Sequence, residues 1–199
     1  MTLGPGFFVA GMAHSSRVGR VDISPVPSEA RHDASRYRGG MTDRALLDEL
    51  IAQEQRLVFD AFGADDAWEL GAALRETARD RGLPVAISVR RNGQRLFHAA
   101  LSGASADNDG WLERKCAVVD RYGCSSLRVG EQFRVAGKSF EIDSLLDPTV
   151  YAAHGGAFPI LLRGTGCIGT VAVSGLPQLD DHRLVVEVLE QRVASSPSP

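Results

Sequence analysis

Asn92-Gly93 constrains this chain more than any other dipeptide, because it separates two strand-like runs, Val85 to Arg91 and Gln94 to Leu101. A two-residue connection of this composition is a type I′ turn, which needs positive φ at both central positions and therefore favours Asn followed by Gly. The flanking runs must then pair antiparallel. Strict two-residue register puts Val89 opposite Leu96, Ile87 opposite His98 and Val85 opposite Ala100, so that these six share one face and His98 sits among apolar neighbours. Phe158 to Arg163 and Gly166 to Ser174, rich in β-branched residues and joined through Gly164-Thr165-Gly166, read as a second hairpin. Two tight hairpins disfavour a doubly wound parallel sheet, whose strands are joined by helical crossovers.

The other segments carry helical periodicity. Leu46, Leu47, Leu50 and Ile51 predict a helix from Asp43 to about Gln55, ahead of a short extended Leu57-Val58-Phe59. Asp66 with Glu69 resembles a capping box, and Ala67, Leu70, Gly71, Leu74 and Ala78 form the stripe of a helix that Gly82 and Pro84 stop. Asp107-Asn108-Asp109 can cap a helix through about Tyr122, and Ser125-Ser126 another through about Arg134. A last helix opens after Leu176-Pro177, with Asp180 and Asp181 complementing its dipole and Val185, Val188 and Leu189 as its buried stripe. The order α, β, α, hairpin, α, α, hairpin, α, with a first hairpin apolar on both sides, predicts an α/β protein of the α+β type. Its form is a three-layer α/β/α sandwich around a five-stranded antiparallel sheet.

With 199 residues, 44% hydrophobic and 24% charged, the chain has the balance of one ordinary globular domain. A formal charge of −3 gives no electrostatic reason to expect a nucleic acid or an anionic membrane as partner. Cys116, Cys124 and Cys167 cannot all pair and lack zinc-type spacing, which suits free thiols in a reducing, cytoplasmic compartment. Residues 1–40 hold Pro5, Pro25 and Pro27 and no sustained apolar period, so they read as a disordered extension, or as an upstream mis-start with Met41 the true start. The folded domain is expected over 41–194, and 195–199 as a frayed tail.

Four segments carry polar residues that packing does not require. In the first, Asn108-x-x-Trp111-x-x-Arg114-Lys115, Lys115 falls on the shoulder of a helical apolar stripe, where an ammonium must snorkel or meet an anion. Ser125-Ser126 at a helix start offers hydroxyls and unpaired amides to a carboxylate or phosphate. His154-Gly155-Gly156 sets an imidazole before two glycines that let backbone approach a ligand closely. Asp181-His182 lies in a first helical turn, where the acid could orient the imidazole. Each has a structural reading beside the functional one: solvated charge, simple N-capping, a turn with an incidental histidine, and a helix-end ion pair. H-E-x-x-H and G-x-S-x-G patterns do not occur in the sequence, and the glycine run from Gly164-Thr165-Gly166 lies in a hairpin and does not open a helix as a nucleotide-binding loop must.

Taken in order, these segments resemble the heme-degrading-domain family, relatives of glycolate-operon GlcG-like proteins and of secreted heme-binding sensor proteins. The resemblance covers about Leu46 to Val193. It rests on Gly82-Leu83-Pro84-Val85-Ala86-Ile87, Arg91-Asn92-Gly93-Gln94, Asp107-Asn108, Trp111, Arg114-Lys115, Ser125-Ser126, Tyr151 to Pro159, and Val173 to Pro177 with Asp181-His182. It implies a profilin-like fold that self-assembles into dimers or larger rings, and a small anionic ligand, with heme the candidate cofactor. The ligand-binding residues would be Asn108, Arg114, Lys115, Ser125, Ser126, His154, Gly155, Gly156, Asp181 and His182. Arg114, Lys115 and the serines would hold propionates and His154 or His182 would coordinate iron; His98, Tyr151 and the three cysteines are further axial candidates. A different class of reading is a non-enzymatic assembly or chaperone-pathway accessory protein, its oligomer interface anchored by Trp111, Phe97 and Phe158. A third is a hydrolase or isomerase with His154 as general base.

Overall fold

A computed structural model describes residues 43–195. The expected N-terminal extension, and all of the expected tail beyond Ser195, lie outside the described residues. Along the chain run α1 (Asp43–Arg56), β1 (Val58–Phe59), α2 (Ala64–Asp80), β2 (Ala86–Arg91), β3 (Gln94–Ala100), α3 (Ala106–Tyr122) and α4 (Ser126–Val135). A short α5 (Phe140–Asp143), β4 (Ala157–Leu162), β5 (Gly166–Ser174) and α6 (Gln178–Ser195) complete them. Only α5 has no counterpart in the sequence pattern.

The sheet has five strands in the order β1-β4-β5-β2-β3. Three ladders are antiparallel, as the hairpins require, and Ala86 meets Ser174 where β2 joins β5. The edge strand β1 instead runs parallel to β4, Val58 beside Leu161, which corrects the fully antiparallel sheet at one margin. These two strands are far apart in sequence, so no hairpin fixes their relative direction. On one face Ile87, Val89, Phe158, Ile160, Val171 and Val173 pack against Leu70 and Leu74 of α2 and Val185, Val188 and Leu189 of α6. On the other, Ala86, Ala157 and Ala172 meet Leu112, Cys116 and Val119 of α3. This alternation along each strand produces the α/β/α layering.

The first hairpin differs from the expected register. Asn92 and Gly93 take φ of 49° and 80°, as the turn demands. Between Val89 and Arg90, however, the ladder is irregular: Arg90 faces Arg95, whereas Val89 faces Phe97, Ile87 faces Ala99 and Ser88 faces His98. The extra residue is Leu96, a β-bulge that turns the following side chains over. The bulge directs Phe97 onto Gly71 of α2, where an added Cβ would stand 2.2 Å from the ring. His98 consequently lies on the opposite face from the apolar one expected for it, with Nε2 3.4 Å from Asp109 and a third of its side chain exposed.

The helix starts also shift. The cap of α2 is Gly63, whose N–H donates to Asp66 Oδ2 at 2.6 Å, so Asp66 is the third helical residue and the Asp66-Glu69 box does not form. Ser105 caps α3, its N–H donating to Asn108 Oδ1 at 2.8 Å. At α4 the expectation holds, with Ser125 Oγ accepting the Arg128 N–H at 3.3 Å.

Candidate functional site

Helix α3 presents two neighbouring charged side chains, Arg114 and Lys115, in different directions. Lys115 points inward and is 3% exposed; its Nζ donates to Asp181 Oδ2 at 2.8 Å and to the Val173 carbonyl at 3.2 Å. Asp181 Oδ1 accepts the Leu176 N–H at 3.0 Å, so this pair ties α3 to the end of β5 and the start of α6. Burial pushes the Lys115 ammonium down and the Asp181 carboxyl up from their ordinary values, each opposed by attraction to its partner. Gly155 and Gly156 belong to the same construction. A Cβ on Gly156, at φ of 120°, would lie 2.4 Å from the Val173 carbonyl and 2.8 Å from Lys115 Nζ, and one on Gly155 would lie 2.1 Å from the Gln178 carbonyl. The glycines therefore let backbone approach the protein's own helix and lysine.

The two serines lie deep in this frame. Ser126 Oγ accepts the Ala157 N–H at 3.1 Å and donates to the His154 carbonyl at 2.5 Å, which fixes the chain on both sides of the glycines. The Ser125 N–H donates to Glu54 Oε1 at 2.8 Å, and Glu54 also holds Arg128 at 2.5 Å, docking α1 on α4. Asn108 serves the α3 cap. Ser125, Ser126, Glu54 and Asn108 each have a partner, as burial requires, whereas Arg128 Nε is buried without one among the described residues.

The two histidines singled out by the sequence differ sharply. His182 is 3% exposed, with Nε2 2.8 Å from Gln53 Oε1, while its buried Nδ1 has no hydrogen-bond partner. Burial drives its pKa down to about 3, so it is neutral. The expected Asp181-His182 hydrogen bond is replaced, because both Asp181 oxygens are already engaged by Lys115 and Leu176. The His154 side chain is 41% exposed, and its Nε2 stands 3.6 Å from Glu141 Oε1 on α5. Burial lowers the His154 pKa against the opposing pull of Glu141. Its ring meets Trp111 edge-on at 5.3 Å, and on Trp111 the guanidinium of Arg114 is stacked 3.9 Å from the ring centroid. Trp111 Nε1–H donates to Asp107 at 3.1 Å, which holds the indole in place.

His154, Trp111 and Arg114 thus form one accessible constellation on the outer side of α3. Beside it runs an open groove of about 410 Å³ lined by Arg90, Gly110, Glu113, Arg114, Ala117, Asp120, Thr149 and Val150. Lys115, Ser125, Ser126, Gly155, Gly156, Asp181 and His182 lie behind this surface, as the frame that supports it. Two of the three aromatic anchors proposed for an interface are corrected: Phe97 and Phe158 are 7% and 0% exposed and fill the core, whereas Trp68 and Tyr122, at 63% and 39%, are exposed rings. The sequence reading missed Glu141, because α5 has too few residues to show a period, and Gln53 and Glu54, because their partners lie far along the chain. Among the described residues no helix is long and apolar enough to cross a membrane, and the three cysteines are free.

A family model described as HbpS-like haem degrading protein matches residues 62–190. A UPF0303 protein of Streptomyces coelicolor is 59% identical over 143 residues, which are 72% of this chain and 90% of that protein. One of Rhizobium etli is 49% identical over 148 residues, 74% and 90% of the two chains. Among solved structures, the Ybr137w protein matches with a TM-score of 0.71 and 32% identity, over 77% of this chain and 92% of that one. A PduOC–heme complex matches with a TM-score of 0.53 and 18% identity over 68% and 95%, a likeness of fold alone.

Proposed function

This chain belongs to the HbpS-like haem degrading protein family, and on that premise we propose that it is a homo-oligomeric, cytoplasmic protein that binds a small anionic ligand, heme foremost. The observation that carries the reading is the constellation on α3: a half-exposed imidazole, His154, against Trp111, which bears the Arg114 guanidinium. These residues suit heme. An indole and an imidazole offer apolar contact and a nitrogen donor, and a stacked guanidinium offers its N–H edge to a propionate. His154 serves as the iron ligand in this reading, because His182 is enclosed and its Nε2 is committed to Gln53. Heme would bring redox-active iron; His154 and Trp111 would orient it and Arg114 would hold a carboxylate. The heme named in the PduOC structure is consistent with such a ligand on this fold. The three free thiols support a reducing compartment.

Titration with hemin tests this reading. A saturable Soret shift is expected, lost in His154→Ala and kept in His98→Ala. An unchanged spectrum at stoichiometric hemin, or full binding by His154→Ala, would count against it.

The assembly reading has one observation of its own. Ile142, Leu145 and Val150 are 73%, 91% and 46% exposed within one short stretch, and Leu145 holds φ at 57°, an unusual backbone for a leucine. Exposed apolar side chains grouped in this way fit a subunit interface. Sedimentation of Leu145→Asp against the parent chain would show a smaller species under this reading and an unchanged mass without it.

A further inference from the structure

Helix α1 is attached to the domain differently from the other helices. Each of the others places at least one buried side chain in an apolar cluster, whereas no residue of α1 belongs to any of the three. Leu47 and Leu50 are buried apart from those clusters, and the helix packs chiefly along α4. Directly after it, Leu57 and Phe59 enter the large cluster beneath α2 and α6, so the chain is anchored in the core at the point where α1 ends.

The rest of the attachment is polar and gathered in the last turn of α1. Gln53 Oε1 lies 2.8 Å from His182 Nε2, and Glu54 accepts the Ser125 N–H at 2.8 Å and meets the Arg128 guanidinium at 2.5 Å. Arg56 donates to Glu190 at 2.9 Å on the exposed rim. These bonds satisfy the groups beneath α1 only in part. His182 Nδ1 and Arg128 Nε are both buried without a partner among the described residues. An unpaired buried polar atom raises the energy of the closed arrangement, and water would relieve both atoms if α1 lifted. Among the described residues, the one hydrogen bond to the His182 imidazole comes from α1, and the ring is otherwise seated beside Phe158, 5.9 Å away between centroids.

We infer that α1 is a strap, hinged between Arg56 and Leu57, that opens as a unit while the rest of the domain stays folded and so uncovers the His182 imidazole. Closed, Gln53 occupies Nε2 and the contact is autoinhibitory. Open, both ring nitrogens face solvent, where a small electrophile or a transition-metal cation can reach them. Local opening of this kind is expected of an element with few contacts to the main core. The strap is independent of the ligand proposed for the outer surface of α3.

Diethyl pyrocarbonate, which acylates a neutral imidazole it can reach, reads the opening in the full chain when each histidine is followed by peptide mass spectrometry. His154, half-exposed, should react promptly, and His182 slowly, at a rate set by the opening of α1. Glu54→Gln keeps the shape of the side chain and removes the charge facing Arg128, and Gln53→Ala removes the acceptor at His182. Each should raise the His182 rate roughly ten-fold, the scale of one buried hydrogen bond to a polar or charged group, and leave the His154 and His98 rates unchanged. Leu74→Ala weakens the core that stays folded in the open state, so it should leave the His182 rate as in the parent. Amide hydrogen exchange should show α1 opening ahead of α2 and α6, and the His182 rate should climb only shallowly with urea, because a local opening exposes little surface. A His182 rate that rises as much in Leu74→Ala as in Glu54→Gln, α1 amides that exchange no faster than those of α2 and α6, or a His182 that stays unreactive in every variant would overturn the strap.

Discussion

The two faces of the sheet are built on different principles. Under α2 and α6 the strands contribute Ile87, Val89, Phe158, Ile160, Val171 and Val173, large side chains that are all fully buried. Under α3 they contribute Ala86, Ser88, Ala157, Thr170 and Ala172, all small and equally buried. At about 25 cal/mol per Å² of apolar surface, the first face is where most of the hydrophobic stabilisation resides. The second gives up that volume, and the close approach of α3 leaves room at its edges for a polar frame of Lys115, Asp181 and Ser126 that positions the loop from His154 to Gly156. One face holds the fold, and the other holds a surface in place.

If that division is right, the largest single loss should come from the polar frame, because half of a buried ion pair is worse than none. Lys115→Met strands the Asp181 carboxylate and should cost about 3–5 kcal/mol in urea unfolding, whereas Lys115→Met with Asp181→Leu should recover most of it. Equal losses in the single and double variants would break the comparison.

His182 should show next, as a pH effect. Its pKa is about 3 in the folded chain against an ordinary 6.5, so the unfolded chain takes up the proton first on acidification. The associated stability is complete above pH 6.5 and is lost as pH falls toward 3, by up to about 4 kcal/mol. Unfolding curves at stepped pH should show this slope in the parent and its flattening in His182→Leu.

The faces should also respond oppositely to size. Leu74→Ala opens a cavity on the large face and should cost about 3 kcal/mol. Ala172→Leu overfills the small face and should cost about 2 kcal/mol, with altered packing of α3 visible in near-ultraviolet dichroism. The smallest stability effect belongs to the outer surface. Arg114→Ala should move the unfolding free energy by less than about 0.5 kcal/mol while weakening hemin in titration, which would separate the surface from the frame behind it.

Much of this architecture is local in origin and could be read along the chain. Asn92-Gly93 determined its hairpin, the stripe from Ala67 to Ala78 determined α2, and Ser125 determined the start of α4, because turn dihedrals, helical periodicity and caps depend on residues within a few positions. The bulge at Leu96 was not legible, since only Gly71, on another element, makes room for Phe97. Nor was the direction of β1, which no short connection constrains. At the site, the anion expected for Lys115 exists, but it is Asp181, sixty-six residues away. The pair of glycines was visible as a point of close approach, and what approaches is Gln178, Val173 and Lys115.

What the sequence by itself determined is therefore the set of elements, their antiparallel hairpins and the two-sided burial of the sheet, all consequences of short-range backbone preference and of period-two or period-3.6 patterning. Tertiary structure decided which polar residues face inward. Lys115 and Arg114 are neighbours of similar chemistry, yet one is enclosed with a carboxylate and the other lies on an indole at the surface. Successive helical residues diverge by about 100°, and burial of charge is permitted only where a distant segment supplies the partner. That partner is set by how the layers pack, and so is the division between frame and surface.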